Sequence, residues 1–320
     1  MQRVAVPAVS FGQHPGLVEL IETQYPGAKV NTQGLTVYRS EEETIDYLRG
    51  FEAAIVSFEW MNDRVLEALP ELRVVSKLGV GLDKIDPAAM RRHGVRLGWT
   101  AGVNKTSVAE LALCSALTLL RHVPDCNLAM RAGQRPLQRI GRQLSGRVVG
   151  VHGCGEIGKE FVRLLQPFGC EIIANDIKDY SDFYAAHDVS AVDVNELLER
   201  SEVLSIHLQV TEKTRWFYDA AVLDRLRPDC VLINTARGRI IDEGALKERL
   251  IDGRIFAAAI DAFEVEPPDD DVLLNLPNFL ATPHIGAGSQ EARWTMGTTA
   301  IAGLTDNFLP EPGVFPFEDR

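Results

Sequence analysis

The N-terminal third of the chain alternates short apolar runs with amphipathic stretches. The apolar runs predict strands at Arg3–Pro7, Ala53–Phe58 and Arg73–Leu78. Apolar residues at helical spacing predict helices at Pro15–Tyr25, Glu41–Gly50, Asp63–Leu69 and Pro87–His93, the last ended by Gly94. Strands and helices in this alternation build a parallel sheet, so the pattern predicts an α/β domain.

A long helix is predicted next, from about Thr106 to Arg131, because small and apolar residues dominate its first half (SVAELALCSALTLL). A second series of strands follows at Arg147–His152, Glu171–Asn175, Val203–Leu208, Val231–Asn234, Phe256–Ile260 and Phe279–Ala281. Helices are predicted at Gly155–Gln166, Val194–Arg200 and Glu243–Leu250, with a last one near Gln290–Leu309. The restart of the alternation predicts a second α/β domain.

Composition and charge narrow the classes of partner. The 320 residues are 46% hydrophobic and 24% charged, which is typical of globular proteins and fits two domains. A net charge of -12, with no run of Lys or Arg, argues against nucleic-acid binding. The longest mostly apolar run, Leu111–Leu120, is too short to span a membrane. The five cysteines lack metal-ligand spacing and the N-terminus lacks a secretory pattern, so we expect a cytoplasmic protein with reduced thiols and no metal.

Glycines follow the strand that ends at His152, in the spacing GxGxxG. The motif consists of Gly153, Gly155 and Gly158, and Glu156 and Ile157 begin the helix after it. In this arrangement the first glycine permits a tight turn, the second admits a pyrophosphate to the backbone, and the third lets the helix pack closely on the strand. The helix N-terminus offers N–H donors to phosphates. The pattern predicts a dinucleotide site, although a turn that is merely glycine-rich would read the same way.

An acidic residue stands where such a site needs one. Asp176 ends the next strand, 18 residues after Gly158, at the position that meets the adenosine ribose hydroxyls. No Arg follows Asp176, which favours NAD over NADP. The nearby Lys178 leaves NADP as the alternative.

Polar residues also follow three later strands, at the edge of an open α/β sheet where ligands bind. Reduction of a 2-keto acid needs a cation for the carboxylate, a proton donor for the carbonyl oxygen and a group that orients the donor. Arg237 suits the first role because its planar fork matches a carboxylate, and His284 suits the second because its unperturbed pKa lies near neutrality. Glu266 is the candidate partner of His284. Taken singly, each of the three could equally be an ordinary structural residue.

Together these segments resemble the D-2-hydroxyacid dehydrogenases, a family that includes phosphoglycerate dehydrogenase. The resemblance extends from about Ala53 to Ala292 and is carried by SKLGVGLDKID, NKTSVAE, LSGRVVGVHGCGEIG, SIHLQVTEKT, INTARGRIID, AAIDAFEVEPP and TPHIGAG. It implies that Arg237 binds the substrate carboxylate or carbonyl, that His284 is the acid/base and that Glu266 pairs with it. Glu264 is the near competitor, but the acid just before Pro267 matches the family's catalytic position.

The same resemblance implies further contacts. It places Asp261 near the nicotinamide carboxamide and the cofactor near Ser107, His207, Thr211, Thr235 and Ala236. It places the substrate carboxylate on a loop formed by Leu78, Gly79, Val80 and Gly81. The implied fold has two Rossmann-like domains. A doubly wound parallel-sheet NAD domain (residues 103–285) is inserted in a smaller flavodoxin-like substrate domain (residues 1–102 and 286–320). A homodimer formed through the NAD domain is expected.

Departures from the family pattern bear on the substrate. Glu156 stands where the family usually has Arg, which we expect to weaken cofactor binding. The segment Ser57–Trp60 lacks the Arg that phosphoglycerate dehydrogenases use for phosphate, with Lys77 as a speculative substitute. Trp60 and Met61 would either form an apolar wall for the substrate or pack between helices. We expect no additional C-terminal regulatory domain in a chain of this length.

Three functions are compatible with these residues. The favoured one is an NAD-dependent enzyme that interconverts a small D-2-hydroxy acid and its 2-keto acid. The alternatives are an NAD(H)-sensing, corepressor-like interaction protein and hydride transfer from another small anion such as formate or phosphite. The sequence leaves open the substrate side chain (phosphorylated, phosphonate or plain) and the physiological direction.

Overall fold

A computed structural model describes residues 2–33, 40–135 and 140–317. The chain forms two compact units, Met1–Asn104 with Ala287–Arg320, and Lys105–Gly286. The chain passes between the units at 104/105 and 286/287, and the boundaries expected from the sequence are 102/103 and 285/286. Among the described residues, no helix has the length and apolarity needed to cross a membrane.

The first unit contains a five-stranded parallel sheet. Its strands are β1 (Val4–Val6), β2 (Lys29–Val30), β3 (Ala53–Val56), β4 (Val74–Lys77) and β5 (Arg96–Gly98), in the order β2-β1-β3-β4-β5. Its helices are α1 (Val9–Gly12), α2 (Pro15–Gln24), α3 (Glu41–Leu48), α4 (Asp63–Glu67) and α5 (Pro87–His93), with the last helix of the chain, Gln290–Ala302. This strand order is that of flavodoxin-like folds.

The second unit contains a seven-stranded parallel sheet. Its strands are β6 (Val148–His152), β7 (Glu171–Asn175), β8 (Val189–Ala191), β9 (Val203–Ile206), β10 (Val231–Asn234), β11 (Ala257–Ile260) and β12 (Phe279–Ala281). Their order, β12-β11-β10-β9-β6-β7-β8, is the Rossmann order extended by one strand. The predicted fold class, two Rossmann-like α/β domains, is therefore confirmed.

Helices cover both faces of this second sheet, as doubly wound folds require. They are α6 (Lys105–Leu120), α7 (Val123–Arg131), α8 (Glu156–Leu165), α9 (Ser181–Ala186), α10 (Val194–Arg200), α11 (Ala220–Leu223), α12 (Glu243–Ile251) and α13 (Asp271–Leu274). Gln166–Phe168 and Gly238–Ile240 are short 3₁₀ helices, and Gln290–Ala302 of the first unit is α14. One buried apolar cluster lies on each side of the sheet, so its strands are buried on both faces.

The prediction of one long helix from Thr106 to Arg131 is wrong, because the helix is interrupted between α6 and α7. His122 adopts a left-handed backbone (φ 52°), and Pro124 in the first turn of α7 has no N–H for a continuous helix. The final helix ends at Ala302, before the predicted Leu309. The strands β2, β5 and β8 were missed because they span only two or three residues at or near the sheet edges.

Candidate active site

Three neighbouring strands of the second sheet end level with one another. Asn234 at the end of β10 is paired with Ile260 of β11, and Ile260 is paired with Ala281 of β12. Because parallel strands direct their carboxyl ends to one edge, the loops after these strands emerge side by side. The loops carry Arg237, Glu266 and His284.

His284 and Glu266 form a close pair. The His284 Nδ1 atom lies 2.9 Å from Oε1 and 3.0 Å from Oε2 of Glu266, and 31% and 19% of the two side chains are exposed. The Phe263 N–H donates to Glu266 Oε1 over 3.0 Å, which fixes the carboxylate. Because an ionised carboxylate only accepts hydrogen bonds, the pair requires the proton on Nδ1 and fixes the ring tautomer.

Glu264, the competing acid, is held elsewhere. Its Oε2 accepts a hydrogen bond from Trp216 Nε1 over 3.3 Å, and its Oε1 lies 3.8 Å from Arg239 Nε. Its backbone N–H donates to Glu243 Oε1 over 2.7 Å. The structure therefore brings Glu266 to His284 and binds Glu264 to a separate group of side chains.

The loop that carries Arg237 is braced by Asn234, which the sequence analysis did not single out. Asn234 Nδ2 donates to the Arg237 carbonyl over 2.8 Å, and Asn234 Oδ1 accepts the Ala236 N–H over 3.0 Å. A Cβ on Gly238 would lie 2.0 Å from the backbone carbon of Phe263, so only glycine lets this loop pack on the next one. The Asn234 bonds fix the backbone of the loop at Arg237, and the close approach at Gly238 brings the loops after β10 and β11 together. The signal for Asn234 in the sequence was an amide at the end of an otherwise apolar strand.

Asp261 and Ser107, both predicted near the cofactor, also bind the turn that carries His284. The Asp261 side chain is 2% exposed and accepts hydrogen bonds from the Thr282 hydroxyl and from the backbone of Ile285 and Gly286. Ser107 Oγ donates to the Gly286 carbonyl over 2.6 Å. Thr282 is a second residue that the sequence analysis missed.

The glycine motif has the geometry of a phosphate-binding turn. Gly153 has a φ of 92°, and a Cβ on Gly158 would lie 2.2 Å from the Gly153 carbonyl oxygen. A Cβ on Gly155 would meet no atom within 4 Å among the described residues, so its backbone borders open space. Glu156 and Ile157 follow at the N-terminus of α8, which is ten residues long. These features fit the tight turn, the phosphate approach and the helix packing expected of the three glycines.

Asp176 lies against this turn. Its Oδ2 accepts the Cys154 N–H over 2.6 Å and its Oδ1 accepts the Lys178 N–H over 2.8 Å. Glu156, the unusual acid of the motif, forms an ion pair with Lys105 at 3.1 Å. That pair offsets part of the negative charge that Glu156 adds beside the phosphate-binding turn.

Buried polar atoms near the strand ends fit a cofactor. Thr235 Oγ1 and His207 Nδ1 are buried and have no hydrogen-bond partner among the described residues. His207 Nε2 lies 3.0 Å from Ser205 Oγ, and burial lowers the pKa of the His207 imidazole to about 3, so the ring is neutral. Buried polar groups are rarely left unpaired, and a dinucleotide would supply the missing partners. Thr211, by contrast, forms a local turn with Thr214, and Ala236 is buried beside Thr235.

The loop predicted to bind the substrate carboxylate lies in the first unit, after β4. Gly79 has a φ of 98°, the Trp99 indole N–H donates to the Val80 carbonyl over 3.0 Å, and Leu78 and Gly81 flank these two residues. Lys77 Nζ donates to the carbonyls of Ser57 over 2.7 Å and Leu78 over 3.1 Å. Lys77 therefore helps to hold the loop it precedes.

The two apolar residues that offered a wall for the substrate differ in placement. Met61 is fully buried in the core of the first unit, so it packs inside this unit. Trp60 is 38% exposed, and Lys84 Nζ lies 4.9 Å from the centre of its ring.

Comparison with known proteins identifies the family of this chain. The family profile described as D-isomer specific 2-hydroxyacid dehydrogenase, NAD binding domain, matches residues 113–286. The chain belongs to the D-isomer specific 2-hydroxyacid dehydrogenase family. NAD is the cofactor of this family's nucleotide domain and of this chain.

Individual relatives cover most of the chain. It is 36% identical over 242 residues to a hydroxypyruvate reductase of Thermotoga maritima, covering 74% of this chain and 78% of the relative. It is 34% identical over 262 residues to a D-3-phosphoglycerate dehydrogenase of Methanocaldococcus jannaschii, covering 81% of this chain and 50% of that protein. The chain thus spans about half the length of this second relative. The structure of a D-2-hydroxyisocaproate dehydrogenase superimposes with a TM-score of 0.82 at 25% identity, covering 96% of each chain.

Proposed function

We propose that this protein is an NAD-dependent dehydrogenase that interconverts a small D-2-hydroxy acid and its 2-keto acid. The observation that carries the proposal is the pairing of His284 Nδ1 with both oxygens of Glu266. A histidine whose one ring nitrogen is fixed by a carboxylate is oriented to exchange protons through the other, as an acid/base in a reaction centre must be.

Each residue then has a defined task. In the direction of oxidation, His284 Nε2 takes the proton of the substrate hydroxyl, and the resulting imidazolium is stabilised by Glu266. Arg237 binds the substrate carboxylate or carbonyl oxygen through its planar fork. When bound, NAD⁺ would supply the acceptor for the hydride of C2, so that the alcohol carbon could become a ketone. The turn of Gly153, Gly155 and Gly158 would hold its pyrophosphate. In reduction, the same residues act in reverse.

The substrates we favour are plain 2-keto acids such as hydroxypyruvate and glyoxylate. The relative of the highest identity quoted above is a hydroxypyruvate reductase. At Ser57–Trp60 the chain has a buried Glu59 and no Arg for a phosphate. Lys77, the speculative substitute, already donates to two carbonyls. The backbone of Leu78–Gly81 is the proposed binding element for the substrate carboxylate. Phosphoglycerate dehydrogenase-like activity is the weaker proposal.

The decisive experiment measures NADH oxidation with His284→Ala and Arg237→Ala. The substrates are glyoxylate, hydroxypyruvate, phosphohydroxypyruvate, phosphonopyruvate and branched 2-keto acids. We expect both variants to lose turnover by at least about 100-fold while NADH still binds by fluorescence titration. Arg239→Ala is the matched control, because Arg239 lies on the same loop with its guanidinium beside Glu264.

The other functions predict different results. Tight NADH binding without turnover of any 2-keto acid would favour an NAD(H)-sensing interaction protein. Reduction of NAD⁺ by formate or phosphite would favour hydride transfer from another anion. Full activity of His284→Ala would contradict the proposed role of this residue. The expected homodimer and cytoplasmic location remain predictions, and light scattering coupled to gel filtration tests the first.

A further inference from the structure

The turn that carries His284 has an unusual backbone. His284 has a φ of 54°, in the left-handed region that residues with a Cβ rarely occupy. A side chain held there depends on surrounding contacts that fix the backbone, since the isolated residue would relax out of this region. The position of the imidazole is therefore set by whatever holds residues 282–286.

One residue receives most of the hydrogen bonds of this turn. Asp261 Oδ1 accepts from the Thr282 hydroxyl over 2.7 Å and from the Ile285 N–H over 2.8 Å. Asp261 Oδ2 accepts from the Gly286 N–H over 2.8 Å, and the Asp261 carbonyl accepts from the His284 N–H over 2.8 Å. These bonds reach the turn on both sides of His284.

The chemistry of the contact favours a carboxylate. The side chain receives three donors, the Thr282 hydroxyl and the N–H groups of Ile285 and Gly286. An ionised carboxylate is an acceptor only, whereas an amide would present a donor to one of them. Hydrogen bonds to a carboxylate are also stronger than those between neutral groups. A Cβ on Gly286 would lie 3.0 Å from Asp261 Oδ2, so glycine there leaves room for this approach.

We propose that Asp261 is a positioning residue for His284. Asp261 holds the turn 282–286 so that the Nδ1 atom of His284 stays hydrogen-bonded to Glu266. This role is separate from the nicotinamide contact that the family resemblance implies for Asp261. Thr282, to which the sequence analysis assigned no role, contributes to the same hydrogen bonds. The proposal rests on the proposed function, because Asp261 acts through His284.

The test uses Thr282→Val and Thr282→Ser. Valine has the shape of threonine but lacks the hydroxyl donor, and serine keeps it. We expect Thr282→Val to lower kcat about tenfold, with the KM for the keto acid and the Kd for NADH within about twofold of wild type, and Thr282→Ser to restore kcat. Asp261→Asn, which removes the charge and leaves the size, should lower kcat by about 100-fold.

Two further measurements separate positioning from a loss of folding or of cofactor. In hydrogen exchange followed by mass spectrometry, the peptide containing Ile285 and Gly286 should exchange faster in Asp261→Asn and Thr282→Val, while the peptides of β10 and β11 stay protected. With deuterated NADH, the isotope effect on kcat should rise in both variants, because a misplaced acid slows the chemical step.

The proposal is overturned if Thr282→Val keeps wild-type kcat and exchange and if Asp261→Asn changes only the Kd for NADH. That result would leave Asp261 as a cofactor contact alone. His284→Ala is measured in parallel, since its retention of activity would refute the proposed function itself rather than the role of Asp261.

Discussion

Glu266 holds one nitrogen of His284 with both of its carboxylate oxygens, at 2.9 Å and 3.0 Å. Glu264, two residues earlier, has its carboxylate beside Trp216 and Arg239 instead. The irregular backbone of this short loop thus gives two acids that lie two residues apart different surroundings. The difference supplies a matched pair of variants.

Glu266→Gln should lower kcat by about 100-fold, because a neutral amide stabilises the imidazolium less than a carboxylate does. Glu264→Gln should stay within about twofold of wild type, since a change at an exposed ion pair has little effect. Steady-state kinetics with the best 2-keto acid of the panel checks both. Equal losses in the two variants would contradict the assignment of Glu266.

The glycine motif predicts two separate effects of adding a methyl group. Gly158→Ala forces a Cβ to within 2.2 Å of the Gly153 carbonyl oxygen, so the apoprotein should lose about 1–3 kcal/mol of unfolding free energy. Gly155→Ala adds a methyl group to open space, so apoprotein stability should change little while the Kd for NADH rises at least about tenfold. Urea unfolding and NADH fluorescence measure the two quantities. Unchanged NADH affinity of Gly155→Ala would argue against phosphate binding at this turn.

The buried hydroxyl of Thr235 offers a test of the cofactor site in which stability and binding change in opposite directions. Thr235→Val removes a hydroxyl that has no partner among the described residues, so the apoprotein should keep its stability or gain up to about 1 kcal/mol. If that hydroxyl binds NAD, the Kd for NADH should rise severalfold in Thr235→Val and recover in Thr235→Ser. If Thr235→Val destabilises the apoprotein and leaves NADH binding unaltered, the Thr235 hydroxyl has a structural role and does not bind the cofactor.

His152 takes no part in the proposed reaction, but its burial should make the stability of the fold sensitive to acid. His152 Nδ1 lies 2.7 Å from the Tyr218 hydroxyl, and burial lowers the pKa of His152 to about 4 from its ordinary 6.5. As the pH falls below 6.5, the unfolded chain takes up a proton that the folded chain does not, so the unfolding free energy falls between pH 6.5 and 4. This group accounts for a loss on the order of 3 kcal/mol.

His152→Gln keeps a polar partner for Tyr218 but does not titrate. Its unfolding free energy should therefore depend less steeply on pH over the same range, by up to about 1.4 kcal/mol per pH unit. Urea unfolding of both proteins at several pH values between 7 and 4 provides the comparison. Parallel curves would show that His152 is accessible to protons in the folded state.

Much of the fold followed from local patterns. The strands Glu171–Asn175, Val231–Asn234 and Phe279–Ala281 and the helices Pro87–His93 and Val194–Arg200 lie where periodicity and caps predict them. Asp86 and Asp193 cap the two helices through their side chains, and Gly94 ends the first in a left-handed conformation. These signals are short in range, so they can be read from the neighbouring residues alone.

Elements that depend on distant partners were not predicted. The strand β8 has two exposed residues of three and forms because β7 offers an edge to pair with. The helix predicted across His122 failed because the apolar pattern continues through a residue whose backbone turns left-handed. Periodicity reports which side chains can be buried together, and it does not report where the backbone changes direction.

By itself, the sequence determined the two α/β series, the glycine turn with its acid, and the three candidate residues at strand ends. Only the tertiary structure decided which acid meets His284, that Asn234 braces the loop of Arg237, and that Asp261 and Thr282 hold the turn of His284. Strand and helix patterns arise from regular backbone geometry that repeats along the chain. The site is built on irregular loops, where the direction of each side chain depends on the register of neighbouring strands and on contacts between residues distant in sequence.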